Sequence, residues 1–317
     1  MFEKFRYDAT KRAASSLSPS RIRESDHETK RDGKEAKRVR LSGKTDVSVE
    51  RSSSKKSKIC CGEEGKWQER WHSICKECFT RLICCTHFQE HRLRLLIVGH
   101  NPSTHAWITG YAYSNPSNRM WGLLTGNTPP YEWSGIVDKD SDITFQNRMP
   151  DTLGIGFTSL GIEPGNDAAN YDRATMSKWK HRFYNRLVEH MQSVCGCQTT
   201  GIEQCKGDRL GENTVVARRT FCSVPHHPRI IAFSGKRQFS MLFTPPVKKI
   251  KHYGCQSCLP PDWPFRNSLS WEAWVLPSSS GRAVMTKEER ALPYQQLAKR
   301  LQDIPWPLID HYGTLKA

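Results

Sequence analysis

The chain has 317 residues, with 48 Lys and Arg against 32 Asp and Glu and a formal net charge of +16. That length holds one domain with tails or two average domains, and the basic excess favours a polyanionic partner such as nucleic acid. No apolar run of roughly 18 residues occurs, which excludes a membrane-spanning helix. Twelve cysteines behind an N-terminus without an apolar leader predict reduced thiols and metal ligation rather than a disulfide framework.

Residues 1–58 are rich in Ser, Lys and Arg and lack apolar periodicity. They cannot bury enough surface to offset their ordering entropy, so a disordered basic tail is predicted. Within it, Lys30 and Arg31 and the run Lys37–Arg40 read as a nuclear-import address or as a basic tail that touches phosphates, and a nuclear location is the expectation. Residues 59–92 are dense in Cys and His: Cys60, Cys61, His72, Cys75, Cys78, Cys84, Cys85, His87 and His91. Cys75-x-x-Cys78 has the spacing of a zinc knuckle. The candidate ligand set is Cys60, Cys61, Cys75 and Cys78 in a small structural zinc module. The alternatives are reduced cysteines lining a small core, or an iron–sulfur cluster.

From residue 93 onward strands and helices alternate. Strands are predicted at Leu93–Val98, Leu153–Leu160 and Arg229–Gly235, and in "WEAWVLPSSSG". Helices are predicted near Asn118–Thr125, at Lys178–Gln192, at Lys236–Phe243 and over "KEERALPYQQLAKRLQ". This order indicates a three-layer α/β/α domain, residues 93–305, around a mostly parallel sheet. Weakly patterned inserts near 195–225 and 244–268 interrupt it, and 306–317 form a C-terminal tail. Cys255-x-x-Cys258 in the second insert is a weaker candidate for a metal site with Cys195, Cys197, Cys205 or Cys222.

Three loops carry chemistry. "VGHNPS" ends the first strand, and ligands of open α/β sheets sit beyond the carboxyl ends of strands. "GYAYSNPSNRMW", Gly110 to Trp121, offers aromatics beside a polar loop, suited to stacking on a base. "WVLPSSSGRA", Trp274 to Ala283, offers small hydroxyl residues for a phosphate backbone and a projecting Arg for a groove or an opened stack. Each loop alone also fits an ordinary turn.

In this order, and with "GIGFTSL" and "IIAFSGKRQF" between them, the motifs resemble the mismatch-specific uracil/thymine-DNA glycosylases of the uracil-DNA glycosylase superfamily. The resemblance covers about residues 93–161 and 229–301. It implies an enzyme that flips uracil, and often thymine, out of mispairs with guanine and hydrolyses the N-glycosidic bond, leaving an abasic site. It implies Asn101 as the catalytic residue that orients water, with Thr158 as a hydroxyl near that water. Tyr113 is implied as the stacking aromatic, with Gly99, His100 and His105 around the base. Ser278, Ser279 and Ser280 would hold phosphates, with Gly281 and Arg282 completing the wedge loop. The expected partner is double-stranded DNA bound by a monomer, with no cofactor for catalysis. No lysine is expected in these motifs, which argues against a Schiff-base step.

Most relatives read Gly-Ile-Asn-Pro-Gly where this chain has His100 for the Ile and Ser103 for the second Gly. His105, at a usually small position, is expected to crowd the pocket and disfavour the thymine methyl. The Ser-rich wedge points the other way, and thymine stays open. A second reading is a non-catalytic DNA-binding or zinc-dependent interaction protein on a glycosylase scaffold. A generic nucleotide-binding protein is disfavoured, because no glycine-rich phosphate loop is present.

Overall fold

The computed structural model describes residues 65–195, 226–265 and 271–308. In chain order the elements are α1 (Lys76–Arg81), β1 (Leu95–Gly99), α2 (Thr104–Thr109), α3 (Met120–Thr125), β2 (Asn127–Thr128) and β3 (Tyr131–Glu132). They continue with α4 (Met149–Leu153), β4 (Ile155–Ser159), α5 (Arg173–Cys195), β5 (Ile230–Ser234), α6 (Lys236–Ser240), β6 (Gly254–Cys255), β7 (Glu272–Leu276) and α7 (Lys287–Gln302). The expected disordered tail, Cys60, Cys61 and most of the first insert lie outside the described residues.

The main sheet has the order β4-β1-β5-β7-β6. Its first four strands are parallel, and only β6 runs antiparallel, against β7. β1, β4 and β5 are buried along their whole length. That burial explains why they read as continuous apolar runs rather than as alternating patterns.

Alternate residues still serve different layers. Leu95, Ile97, Ile155, Phe157 and Leu276 pack with α3, α4 and α7 on one face. Leu96, Val98, Phe233 and Val275 pack with α5 and α6 on the other. Both faces are covered, so the molecule is the expected three-layer α/β arrangement. Among the described residues no helix is long and apolar enough to cross a membrane.

The boundaries move outward. Asp172 Oδ1 accepts from Thr175 N at 2.7 Å, which starts α5 five residues before the predicted Lys178. The insert near 244–268 is no excursion. It supplies β6, and its Trp263, Phe265 and Ile250 enter the core beside α5. Trp306 and Leu308, assigned to a tail, are packed: Trp306 Nε1 donates to Asp151 O, and Leu308 rests on the core.

The Cys/His segment is likewise joined to the sheet. Arg70 and Phe157 exchange both backbone hydrogen bonds, at 2.8 and 3.1 Å, along the outer edge of β4. The Arg70 side chain is completely buried. It donates to Asn147 Oδ1 at 2.8 Å, to Gly110 O at 2.8 Å and to Gln68 O. A buried guanidinium is tolerated because neutral oxygens accept hydrogen bonds from its N–H groups.

Candidate active site

Parallel pairing puts the strand ends level: Gly99 lies opposite Ser159, and Ser234 opposite Leu276. The loops that follow β1, β4, β5 and β7 therefore meet beyond the carboxyl edge and enclose a cavity of about 340 Å³. Gly99, His100, Asn101, Tyr113, Thr158, Ser278, Ser279, Ser280 and Arg282 all line it. The sequence spreads these residues over more than half the chain, and the strand ends bring them together.

Asn101 is held from several sides. Its Nδ2 donates to Glu163 O at 3.0 Å, Gly165 O at 3.2 Å and Tyr171 Oη at 3.0 Å. Carbonyls accept only, so these contacts fix which end of the amide is nitrogen. Oδ1 then faces His100 Nδ1 at 2.8 Å. A carbonyl cannot donate, so Nδ1 carries the proton, and in the neutral ring Nε2 is a bare acceptor. Nε2 is buried and has no hydrogen-bond partner among the described residues. Burial pushes the His100 pKa down, the Asn101 contact opposes this, and nearby Arg237 adds to the depression. The ring is wedged against Tyr171 and Trp179, with centroids at 5.6 and 5.4 Å. One lone pair of Asn101 Oδ1 is left for a ligand or water.

Tyr113 enters from the loop after α2 with φ +58, a left-handed conformation that a bulky residue adopts at a cost. Its hydroxyl is sealed from solvent while the ring stays half-buried at the cavity. Burial raises its phenol pKa. The close approach needs Gly99, where a Cβ would stand 3.0 Å from Tyr113 Oη and 3.1 Å from Ser159 Oγ.

Thr158 is 2% exposed and donates its hydroxyl to the Glu69 carboxylate, which also pairs with Arg186 Nε at 3.1 Å and accepts from Trp71 Nε1 at 2.9 Å. Its hydroxyl proton is thereby committed. Trp67 also lines the cavity. Sequence reasoning missed Trp67 and Glu69 because a single β-bridge leaves no periodic signal. On the opposite rim the Ser278–Arg282 loop is anchored by Tyr294 Oη donating to Pro277 O and by Arg119 N donating to Ser279 O. The exposed Arg282 side chain reaches across the mouth to Asn166 O.

Several expectations change. His105 is not among the cavity residues. It lies one helical step away on α2, with Nδ1 at 2.8 Å from Ser114 Oγ, so the crowding argument against thymine loses its basis. Ser103 caps α2 by accepting from Ala106 N at 3.1 Å, which accounts for a hydroxyl residue there. Lys236 does belong to the "IIAFSGKRQF" segment and does line the cavity, contrary to the expected absence of lysine. Its Nζ sits over the Tyr253 ring, 4.1 Å from the centroid.

The candidate metal ligands also regroup. Among the described residues Cys75 and Cys78 stand with Cys85 and His87, while Cys60 and Cys61 lie outside the described residues. His72 and His91 face Glu90 and Asp151 instead. Cys255 and Cys258 are exposed and join no ligand cluster among the described residues.

No protein-family profile matches the chain. Over 101 residues, 31% of its length, the chain is 26% identical to a G/U mismatch-specific uracil DNA glycosylase of Schizosaccharomyces pombe, and the match spans 29% of that protein. The match thus covers less than a third of either protein.

Proposed function

We propose that this chain is a DNA glycosylase that hydrolyses the N-glycosidic bond of uracil mispaired with guanine. The observation that carries the reading is the Asn101 amide. The contacts that Nδ2 donates and the one that Oδ1 accepts fix its orientation at the strand edge, and one Oδ1 lone pair is left over. An amide is too weak a base to generate hydroxide. It suffices where the glycosidic bond breaks first, because an oxocarbenium-like sugar needs a positioned water more than a strong nucleophile. The base departs with the bonding electrons, water adds to the anomeric carbon, and the proton it loses balances the uracil anion. The products are free uracil and an abasic site.

A glycosidic bond inside an intact duplex cannot enter a cavity beyond the strand ends, so the nucleotide is extruded, and a wobble pair lowers that cost. Tyr113 offers its ring to the flipped base. Ser278, Ser279 and Ser280 flank the strand, and Arg282 fills the vacated stack. The Lys236 ammonium is engaged with an aromatic face, and the proposed reaction forms no Schiff base. The basic segments of the N-terminal region fit a nuclear DNA-bound protein.

Single-turnover cleavage of duplexes carrying one G·U, G·T or A·U pair, with single-stranded uracil alongside, tests the proposal. Cleavage of G·U above A·U is expected, with G·T reading out thymine entry. Asn101→Ala should bind the G·U duplex and fail to cut it. Binding without cleavage by the wild-type chain would overturn the enzymatic reading in favour of a non-catalytic DNA reader.

A further inference from the structure

The Cys/His segment carries a feature that the proposed glycosylase chemistry does not use. Cys75 Sγ, Cys78 Sγ and Cys85 Sγ stand 3.3, 3.4 and 3.7 Å from a single atom, His87 Nδ1. All four ligand atoms lie within 4.8 Å of one another. Zn–S bonds near 2.3 Å and Zn–N bonds near 2.0–2.1 Å at tetrahedral angles give an S···N edge of about 3.6 Å. The three observed edges straddle that value. We propose that Cys75, Cys78, Cys85 and His87 bind one structural zinc ion, and that this ion clasps the 65–92 segment onto the cavity wall.

Three further observations support a metal over a small apolar core of thiols. His87 is exposed, and an exposed imidazole has no reason to turn Nδ1 toward three sulfurs unless something binds them together. Backbone N–H groups point at the sulfurs, Cys78 N at Cys75 Sγ (3.3 Å) and Cys75 N at Cys85 Sγ (3.4 Å), the arrangement that stabilises metal-bound thiolates. The apolar company of the cysteines is small, limited among the described residues to Ile74, Phe79 and Phe88. A multi-iron cluster fits poorly, because its cysteines bind different irons and stand farther apart than one tetrahedron allows. Four protein ligands close the coordination sphere, so the site is structural rather than hydrolytic.

The contacts of α1 say what the ion would hold. Cys75 caps this helix and Cys78 lies within it. Phe79, the next residue, packs on Tyr111 at 4.7 Å between ring centroids. A Cβ at Gly110, which has φ +79, would strike the Phe79 ring at 2.8 Å. Tyr111 is two residues from Tyr113. On the other side of the knuckle the chain hydrogen-bonds Lys66 N to Trp107 O and carries Trp67 to the cavity and Glu69 to the Thr158 hydroxyl behind it. An ion at this place fixes both approaches to the cavity wall without touching the reacting atoms. The metal assignment stands whether or not the chain is a glycosylase.

The full-length protein, expressed in zinc-supplemented medium, is assayed for bound metals by mass spectrometry and then reconstituted with Co²⁺. About one zinc per chain is expected, together with the visible bands and thiolate charge-transfer absorption of tetrahedral Co²⁺. Cys85→Ser and His87→Ala should lose the metal and the cobalt spectrum, and Cys255→Ser should keep both. A chain that binds no zinc and gives no cobalt spectrum would overturn the proposal. So would full retention of metal by Cys85→Ser, or the broad absorption of an iron–sulfur cluster. Loss of metal should also loosen Trp67, read as a red shift in tryptophan emission, a result independent of cleavage.

Discussion

Replacing His100 with Phe separates the orienting role of this side chain from its packing. Phe keeps an aromatic ring between Tyr171 and Trp179, where the imidazole now stands at 5.6 and 5.4 Å. It removes the Nδ1–H that reaches Asn101 Oδ1 at 2.8 Å. It also removes Nε2, a buried acceptor without a partner among the described residues. One neutral hydrogen bond is worth about 0.5–1.5 kcal/mol net, which converts to a loss of about 2- to 13-fold in the rate of base release if the bond serves only to orient the amide. Folding stability should hold or rise, since an unsatisfied buried nitrogen disappears.

The pH dependence adds a second signature. Burial depresses the His100 pKa below its ordinary 6.5, so the unfolded chain binds more protons than the folded one as pH falls below that value. Wild-type stability should therefore decline on acidification through this window, and His100→Phe should decline less. Single-turnover cleavage of G·U duplex and urea denaturation at several pH values measure both effects. An unchanged rate would refute the orienting role. A loss of about a hundredfold or more, beyond what one such bond supplies, would make His100 a participant in the chemistry instead.

Two other outcomes follow from the geometry. His227 is 1% exposed, stacked on Phe265, and burial pushes its pKa down to about 4. A shift of that size makes wild-type stability fall by about 3 kcal/mol between pH 6.5 and 4, and urea denaturation of His227→Phe should show a correspondingly shallower acid slope; identical slopes would refute the assignment. Arg282→Ala should impair cleavage of duplex G·U and spare single-stranded uracil, because only a duplex leaves a gap to fill, and its melting temperature should be unchanged since Arg282 is exposed. Equal losses on both substrates would make Arg282 a phosphate contact rather than a wedge.

The sheet was legible in the sequence because β1, β4 and β5 are buried on both sides and so appear as uninterrupted apolar runs. α7 was legible to the residue because Thr286 and Glu289 form a capping box at its start. Other parts left no such mark. α2 hides in a stretch that reads as a polar loop, and only the Ser103 cap betrays it. The second insert is held by Trp263 and Phe265, whose spacing fits neither helix nor strand. The candidate residues at strand ends share one cavity because the loops that carry them follow parallel strands of one sheet. His105 stands outside the cavity lining because its direction is set by the turn of α2 rather than by its nearness to Asn101 in sequence. Cys85 and His87 were seen as ligand types, but their grouping depends on how the chain reverses after α1, where Leu82 takes a left-handed conformation.

The Arg70–Phe157 bridge also bears on how the protein can be cut down. β4 is an outer strand, and without residues 66–71 it would present unpaired N–H and C=O groups along an apolar ribbon. Such ribbons recruit further strands, from another copy or from any extended peptide. A fragment begun at Leu93, where the alternating pattern starts, would lose its selvedge as well as Trp67 and Glu69. It should self-associate in proportion to concentration, whereas a fragment begun before Gly65 keeps the border closed.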